Sequence, residues 1–384
     1  PAPLTGRVRP GRRRGAVGSS PMSAPVLLDA TPLSSGHSAR GIGAALRGML
    51  GGLAAVDPDD RPELLVRRGQ EVPAGFRARE VRWPAWPLYR LPDPWPAAIG
   101  ERLVRRMGAR VFHATQPALA PGGASVVTCH DLIPAAYPRE FLSGAGRLAE
   151  RLAYRRFLAR LREAALVLTP SRETAEDVVR LAGVHAGRVR QIPWGVPAPA
   201  DPEGPVPGGV YVLYAGGLEP HKNAALAVRA IAGAPAGVRL AMAGPWSDRR
   251  LARLQAETRR AGADGRIDWL GYLSPGRLAA VRAGACAVLV PSRKEGFGFP
   301  VLEAMADGVP VLASDTQALR EAGGDAALYL PPHDPAAWAR AIGDLARDEA
   351  ARSELGAKGR EQAARFTWEE TARLTVAAYR EALA

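Results

Sequence analysis

The chain has 384 residues, 47% of them hydrophobic and 23% charged, with a formal net charge of +13. At roughly 100–200 residues per domain, that length predicts two domains with buried cores, and the composition excludes a disordered or fibrous chain. No uncharged apolar run approaches the ~20 residues of a membrane-spanning helix, and two cysteines, Cys129 and Cys286, form neither a disulfide framework nor a zinc motif, so a reducing cytoplasm is expected.

Along the chain, residues 1–21 come first and are rich in Arg, Gly, Pro and Ser. They carry five Arg and no acid, so a disordered basic tail is expected. They lack the apolar stretch of a signal peptide. Met22 immediately precedes the first strand-like run, and it is the expected natural start. Strands are then predicted at 25–30, 62–66, 109–113, 124–129, 165–169 and 188–193. Helices are predicted at 41–55, 96–107, 139–163 and 171–183. Residues 197–209 contain five prolines and three glycines, which suit a linker and no regular element. The alternation restarts with strands at 210–215, 238–243, 267–270, 286–290, 309–313 and 327–330, and helices are predicted at about 222–233, 246–262, 274–284, 299–307 and 334–346. Strands that alternate with helices predict parallel sheets with crossover helices, and the restart predicts two such domains facing across a cleft. The expected boundaries are 22–196 for the first domain, 210–366 for the second, and 367–384 for a last helix.

Charge follows the same division. Only Lys222, Lys294 and Lys358 are lysines, so 48 of the 51 cations are arginine, a skew that fits codon bias. Residues 22–198 carry 24 Arg against 16 acids, whereas residues 199–384 carry 22 of each sign. The excess therefore lies in the first half. There, Arg147, Arg151, Arg155 and Arg162 fall on one side of the helix predicted at 139–163. Trp83, Trp86 and Trp95 lie among prolines in a predicted loop. Tucked aromatics and a solvated charged face explain these features simply. Together they also suit an anionic lipid surface, and no nucleic-acid motif accompanies the charge.

The chemistry concentrates in Pro291-Ser-Arg-Lys-Glu-Gly-Phe-Gly-Phe-Pro-Val-Leu-Glu-Ala-Met-Ala306. A strand precedes it and a helix is predicted to open near Phe299. Such a turn presents backbone N–H groups at the positive end of a helix dipole, which suits a phosphate. Glu295 stands at the turn and Glu303 eight residues on, placing two acceptors at different depths for hydroxyls. Lys222 follows the strand Tyr211-Val-Leu-Tyr-Ala215 and would offset charge on a diphosphate leaving group. His130 ends an apolar strand and is followed by Asp131, which favours the cleft over the core. His113 ends a neighbouring strand, with core and cleft equally open. Gly41 and Gly43, in Gly36-His-Ser-Ala-Arg-Gly-Ile-Gly43, make a truncated dinucleotide fingerprint, since Leu46 takes the third position. Asp29 is read as structural. No Asp-x-Asp cluster or His/Cys grouping with ligand spacing is present, so no metal site is expected.

The string Glu295-Gly-Phe-Gly-Phe-Pro-Val-Leu-Glu303 resembles the E-x7-E signature of family 4 retaining glycosyltransferases, which have the GT-B fold. Tyr211–Asn223, Val127–Ile133, Val167–Ser171 and Ile192–Val196 are similar to further motifs of that family. The resemblance implies two doubly wound Rossmann-like domains, a last helix crossing back to the first, and metal-independent transfer with no cofactor. The donor is expected to be a GDP-sugar or UDP-sugar. It further implies that Glu303 binds ribose hydroxyls, that Glu295 and His130 contact the transferred sugar, and that Lys222 faces the diphosphate. Backbone groups of Phe297, Gly298 and Phe299 would meet the sugar or diphosphate, and the loop with Gly41 and Gly43 would lie close to both substrates. Where the family often carries an Arg this chain has Gly216 and Gly217, leaving Arg293 or Arg40 to supply a second cation. Bacterial polysaccharide mannosyltransferases are the group it most resembles. Mannose transfer to a glycan or lipid-linked acceptor is therefore expected, on or near the inner face of the plasma membrane. The alternatives are a phosphorylase or nucleotide-sugar epimerase on the same scaffold, or a non-catalytic partner subunit.

Overall fold

The computed structural model describes residues 26–34, 41–81, 101–102, 104–115, 125–143 and 147–384. The basic tail, the tryptophan-rich loop and residues 35–40 of the glycine loop lie outside the described residues.

The first sheet comprises β1 (Val26–Asp29), β2 (Glu63–Arg67), β3 (Ala78–Val81), β4 (Val111–Ala114), β5 (Ser125–Thr128), β6 (Leu166–Thr169) and β7 (Val189–Gln191). Its order is β3-β2-β1-β4-β5-β6-β7, and every pairing is parallel. Around it lie α1 (Gly41–Ala54), α2 (Leu148–Glu163) and α3 (Arg172–Asp177), the last continued by a π-helical turn at Val178–Ala182. The second sheet comprises β8 (Val210–Ala215), β9 (Val238–Ala243), β10 (Ile267–Gly271), β11 (Ala287–Val290), β12 (Val311–Ser314) and β13 (Leu328–Leu330). Its order is β10-β9-β8-β11-β12-β13, again all parallel. Its helices are α4 (Ala224–Gly233), α5 (Asp248–Arg260), α6 (Pro275–Ala283), α7 (Phe299–Ala306), α8 (Gln317–Gly323), α9 (Pro335–Arg347) and α10 (Glu349–Ala363). The expected fold class, two doubly wound α/β domains, is the observed one.

Both sheets owe their form to continuous apolar runs. Val111, Phe112, Val126, Val127, Val167, Val288 and Leu289 are all buried, as strands covered by helices on both faces require. In each sheet the strand order reverses beside the first strand, between β1 and β4 and between β8 and β11. Such a reversal leaves a crevice beyond the carboxyl ends of the strands.

The last helix, α11 (Trp368–Leu383), returns to the first domain. Thr371 Oγ1 donates to the Pro193 carbonyl at 2.7 Å, and Arg380 pairs with Asp60 at 2.7 Å. Gly48 and Gly52 make room for it, since a Cβ on either would lie 2.1 Å from Trp368. Among the described residues, no helix is long and apolar enough to cross a membrane.

Several elements differ from the sequence reading, among them α8, a helix where none is expected. The helix expected over 139–163 is a short turn at Pro138–Phe141 followed by α2; Gly144 and Gly146, poor helix formers, fall in the interval outside the described residues. Strand β3 had no apolar pattern because three of its four residues are exposed at the sheet edge. Helix α10 is polar, and it packs through glycines: a Cβ on Gly356 would lie 2.2 Å from the Gly308 carbonyl oxygen.

Candidate active site

The carboxyl ends of β8, β11 and β5 bring the candidate residues together. Beyond β8 the chain makes a tight turn at Pro220–Lys222 and enters α4 through Asn223. Asn223 has φ 55°, the only positive φ at a non-glycine position among the described residues. Its amide donates to the Pro291 carbonyl at 3.0 Å and the Pro332 carbonyl at 2.8 Å. Those two bonds, one to the end of β11, hold a backbone that costs most side chains about 1–2 kcal/mol. Lys222 is thereby fixed toward the loop after β11.

In that loop Lys222 Nζ meets both carboxylate oxygens of Glu295, each at 2.8 Å. The Glu295 side chain is 9% exposed and that of Lys222 is 25% exposed. Burial alone would raise the Glu295 carboxyl, but the Lys222 charge, with hydrogen bonds from Lys222 and Ser292, holds it below the ordinary range. Gly296 follows because nothing larger fits: a Cβ there would lie 2.2 Å from the His130 carbonyl oxygen. Gly298, at φ 131°, caps α7, and a Cβ on it would lie 2.9 Å from that of Ala322.

The opposing lip comes from β5. His130 Nε2 lies 2.9 Å from the Thr115 carbonyl, which makes that nitrogen the donor, and its ring lies 5.2 Å from that of Trp194. Asp131 accepts from the Ile133 N–H at 3.0 Å. Burial raises its carboxyl above the ordinary range despite His221 and Lys222 nearby. His221, beside Lys222, packs against Phe141 of the first domain at 5.6 Å between rings. Burial and then the Lys222 charge lower its pKa, so the ring is neutral near neutral pH.

Deeper in the second domain, Glu303 lies in α7 with its Oε2 3.4 Å from Arg282, which also bonds Asp307 at 2.6 Å. Burial pushes the Glu303 carboxyl up, against the pull of Arg282. Arg282 and His221 carried no role in the sequence reading. Arg282 lay in a separate helix, and only its pairing with Glu303 and Asp307 reveals it.

The remaining candidates divide: the backbone of Phe297, Gly298 and Phe299 stays beside Glu295 at the start of α7, and the others lie apart. Phe297 and Phe299 send their rings into a hinge cluster, with Trp194 stacked on Phe299 at 5.3 Å and Phe297 edge-on to Trp194 at 5.5 Å. Gly41 and Gly43 open α1, and the loop before them lies outside the described residues, as does Arg40. Arg293 sits over the Tyr137 ring and pairs with Glu140 at 2.7 Å, a commitment across the domains. The Gly216 carbonyl accepts from Trp246 Nε1 at 2.9 Å, and that of Gly217 from the Tyr214 hydroxyl. His113 belongs to the core: its nitrogens lie 2.7 Å from the Tyr379 hydroxyl and 2.8 Å from Thr128 Oγ1. Burial lowers its pKa to about 3.

Two family models match this chain. The one for Glycosyltransferase Family 4 covers residues 53–198, and the one for Glycosyl transferases group 1 covers residues 201–362. The chain belongs to the family 4 glycosyltransferases. Within that family it is similar to the O-antigen chain mannosyltransferase B of Escherichia coli, 36% identical over 176 residues, covering 44% of this chain and 45% of that protein. It is also similar to a D-inositol 3-phosphate glycosyltransferase of Xylanimonas cellulosilytica, 32% identical over 237 residues, covering 56% of this chain and 57% of that protein. The chain thus spans about half the length of the curated relatives it matches. Among solved structures, sucrose-phosphate synthase of Thermosynechococcus elongatus superposes with a TM-score of 0.72 at 22% identity, over 93% of this chain and 98% of that one. At that identity the likeness concerns the fold, which in this glycosyltransferase family is GT-B.

Proposed function

We propose that the protein is a retaining, metal-independent hexosyltransferase that moves a sugar from a nucleoside diphosphate to an acceptor hydroxyl. The observation that carries the reading is the Lys222–Glu295 pair, a cation gripping a buried carboxylate at the lip of the cleft. In this reading a donor sugar takes hydroxyl contacts from Glu295 and His130, and the diphosphate draws on Lys222 and the start of α7. A diphosphate arriving beside Lys222 competes for its charge. As the bond from the anomeric carbon to the diphosphate breaks, the cation offsets the charge left on the leaving oxygen, an effect worth several kcal/mol in a dry site. The acceptor oxygen bonds to the same face of the sugar, and its proton passes to the departing phosphate. Glu303 holds the ribose hydroxyls.

For the donor, mannose from GDP-mannose is the first choice, supported by the similarity to an O-antigen mannosyltransferase. UDP-sugars come second. For the acceptor, an anionic glycan or lipid-linked glycan of a cell-surface polysaccharide is supported by the first domain. A groove of about 400 Å³ lies between α2 and the turn at Pro138–Phe141, walled by Pro138, Leu142 and Leu158 and edged by Arg139, Arg151 and Arg155. On α2, Leu148 and Leu152 stand 59% and 42% exposed. Apolar walls with a basic rim suit an amphiphile with an anionic head, and a peripheral position on a membrane.

A thermal-shift panel of GDP- and UDP-sugars, followed by product analysis with and without acceptor, tests the reading. Selective stabilisation by one nucleotide class and acceptor-dependent sugar transfer are expected. Sugar 1-phosphate or an epimerised nucleotide sugar as the product would overturn it.

A further inference from the structure

The residue before Glu295 is Lys294, whose charge is committed across the domain boundary. Its Nζ lies 2.6 Å from Glu173 Oε1 and 2.7 Å from Asp177 Oδ2, both on α3 of the first domain. The three side chains are 11%, 15% and 4% exposed. Arg180 approaches the other Asp177 oxygen at 2.6 Å, so two cations meet two carboxylates and the group is neutral. The residue after Glu295 is held from the same helix, because Ser171 Oγ and Thr174 Oγ1 donate to the Gly296 carbonyl at 2.7 and 3.0 Å. Glu295 is therefore flanked on both sides by groups bonded to α3 and its cap.

The contact is reciprocal around it. The second Glu173 oxygen accepts from the Ala318 N–H at 2.9 Å, in the first turn of α8, while Glu321 of α8 accepts from the Arg172 N–H at 2.8 Å, in the first turn of α3. Each helix start receives a carboxylate from the opposite domain, the charge that its exposed N–H groups favour. A buried ion group of this kind roughly balances its desolvation cost, so its main effect is on geometry.

We propose that Lys294 is a positioning residue, which through Glu173 and Asp177 sets Glu295 against Lys222 only when the two domains meet. Domain closure and assembly of the sugar-binding carboxylate then become one event. This rests on the reading of Glu295 as a contact to the transferred sugar. Burial disfavours the Lys294 charge, but Asp177 and Glu173 outweigh it and raise its pKa, so the link persists through neutral pH.

The test compares the full chain with Lys294→Met, Glu173→Gln and the double variant, with Lys358→Met as a control at an exposed pair. In Lys294→Met, kcat for sugar transfer is expected to fall about 10²-fold, the cost of a misplaced reacting group. The variant should melt lower than the parent, because Glu173 and Asp177 lose a buried counter-ion, but it is folded at the assay temperature and keeps parental UDP and GDP affinities. The double variant should lose no more than the worse single one. Small-angle scattering should show a larger radius of gyration for Lys294→Met than for the parent. Parental kcat, additive losses, or a kcat loss matched by lost nucleotide affinity or lost folding would overturn the proposal. If no donor supports transfer by the parent, the glycosyltransferase reading fails separately. The scattering comparison still decides the link, and equal radii overturn it.

Discussion

Asp131 and Glu295 are neighbouring carboxylates at the two lips of the cleft, one half-buried and the other buried, and their acidities move in opposite directions. Glu295 has a lysine on both oxygens and stays ionised below the ordinary range. Asp131 has a backbone N–H and one more distant cation, Lys222, and burial prevails. The same contrast runs through the molecule. Asp29, buried at the end of β1 with Thr31 as its hydrogen-bond partner, is raised to about 6, and His113 in the same sheet is lowered to about 3. Burial disfavours the charged form at all four groups and prevails at three of them; Glu295 escapes. A cation delivered by a separate, braced loop makes the difference.

Removing that cation should have the largest effect. Lys222→Met leaves a buried carboxylate without its counter-ion, a loss of about 3–5 kcal/mol in comparable pairs, and sugar transfer should fall about 10³-fold. The pH dependence should also invert. In the parent the lowered Glu295 pKa contributes stability above the unfolded carboxyl value, and that stability is lost as pH falls. In the variant a raised Glu295 would lose stability as pH rises. Thermal melts between about pH 4 and 8 measure this, and melts with parental pH dependence would break the comparison.

Asp29→Asn is the middle case. A folded value of about 6 against 3.8 for an unperturbed aspartate means that ionising Asp29 costs stability as pH rises between the two. Asn keeps an acceptor for Thr31 and has no charge, so the variant should be more stable by ~2–3 kcal/mol above about pH 6, with the gap closing toward pH 4. Parallel curves would show that Asp29 is not held neutral by burial. The smallest effect is expected from Tyr379→Phe, which strips the hydroxyl from buried His113. A lost hydrogen bond of that kind costs about 1–3 kcal/mol. The urea midpoint should drop with an unchanged slope, and transfer kinetics of the folded enzyme should not change.

Much of the fold was legible in the chain. The strands at 210–215 and 238–243 match β8 and β9 residue for residue, because a buried parallel strand is a continuous apolar run. The edge strand β3 and the polar helix α10 carried no such run and were missed. At the site, Lys222 and Glu295 stood out through their loops, although nothing in either loop indicated a bidentate pair. His113 and His130 were nearly equivalent as sequence, each closing an apolar strand. Tyr379, 266 residues further on, makes His113 a core group, whereas Thr115 and Trp194 hold His130 at the lip.

The two doubly wound sheets, the loops after their strands and the residue types those loops carry can be read from the chain alone. These follow from short-range periodicity and from what glycine, proline and asparagine permit the backbone. Which charges meet depends on how the two domains fold and pack. Lys222 reaches Glu295 across 73 residues and Lys294 reaches Glu173 across 121. Coulombic partners are set by distance in space, which the order of residues along the chain does not encode.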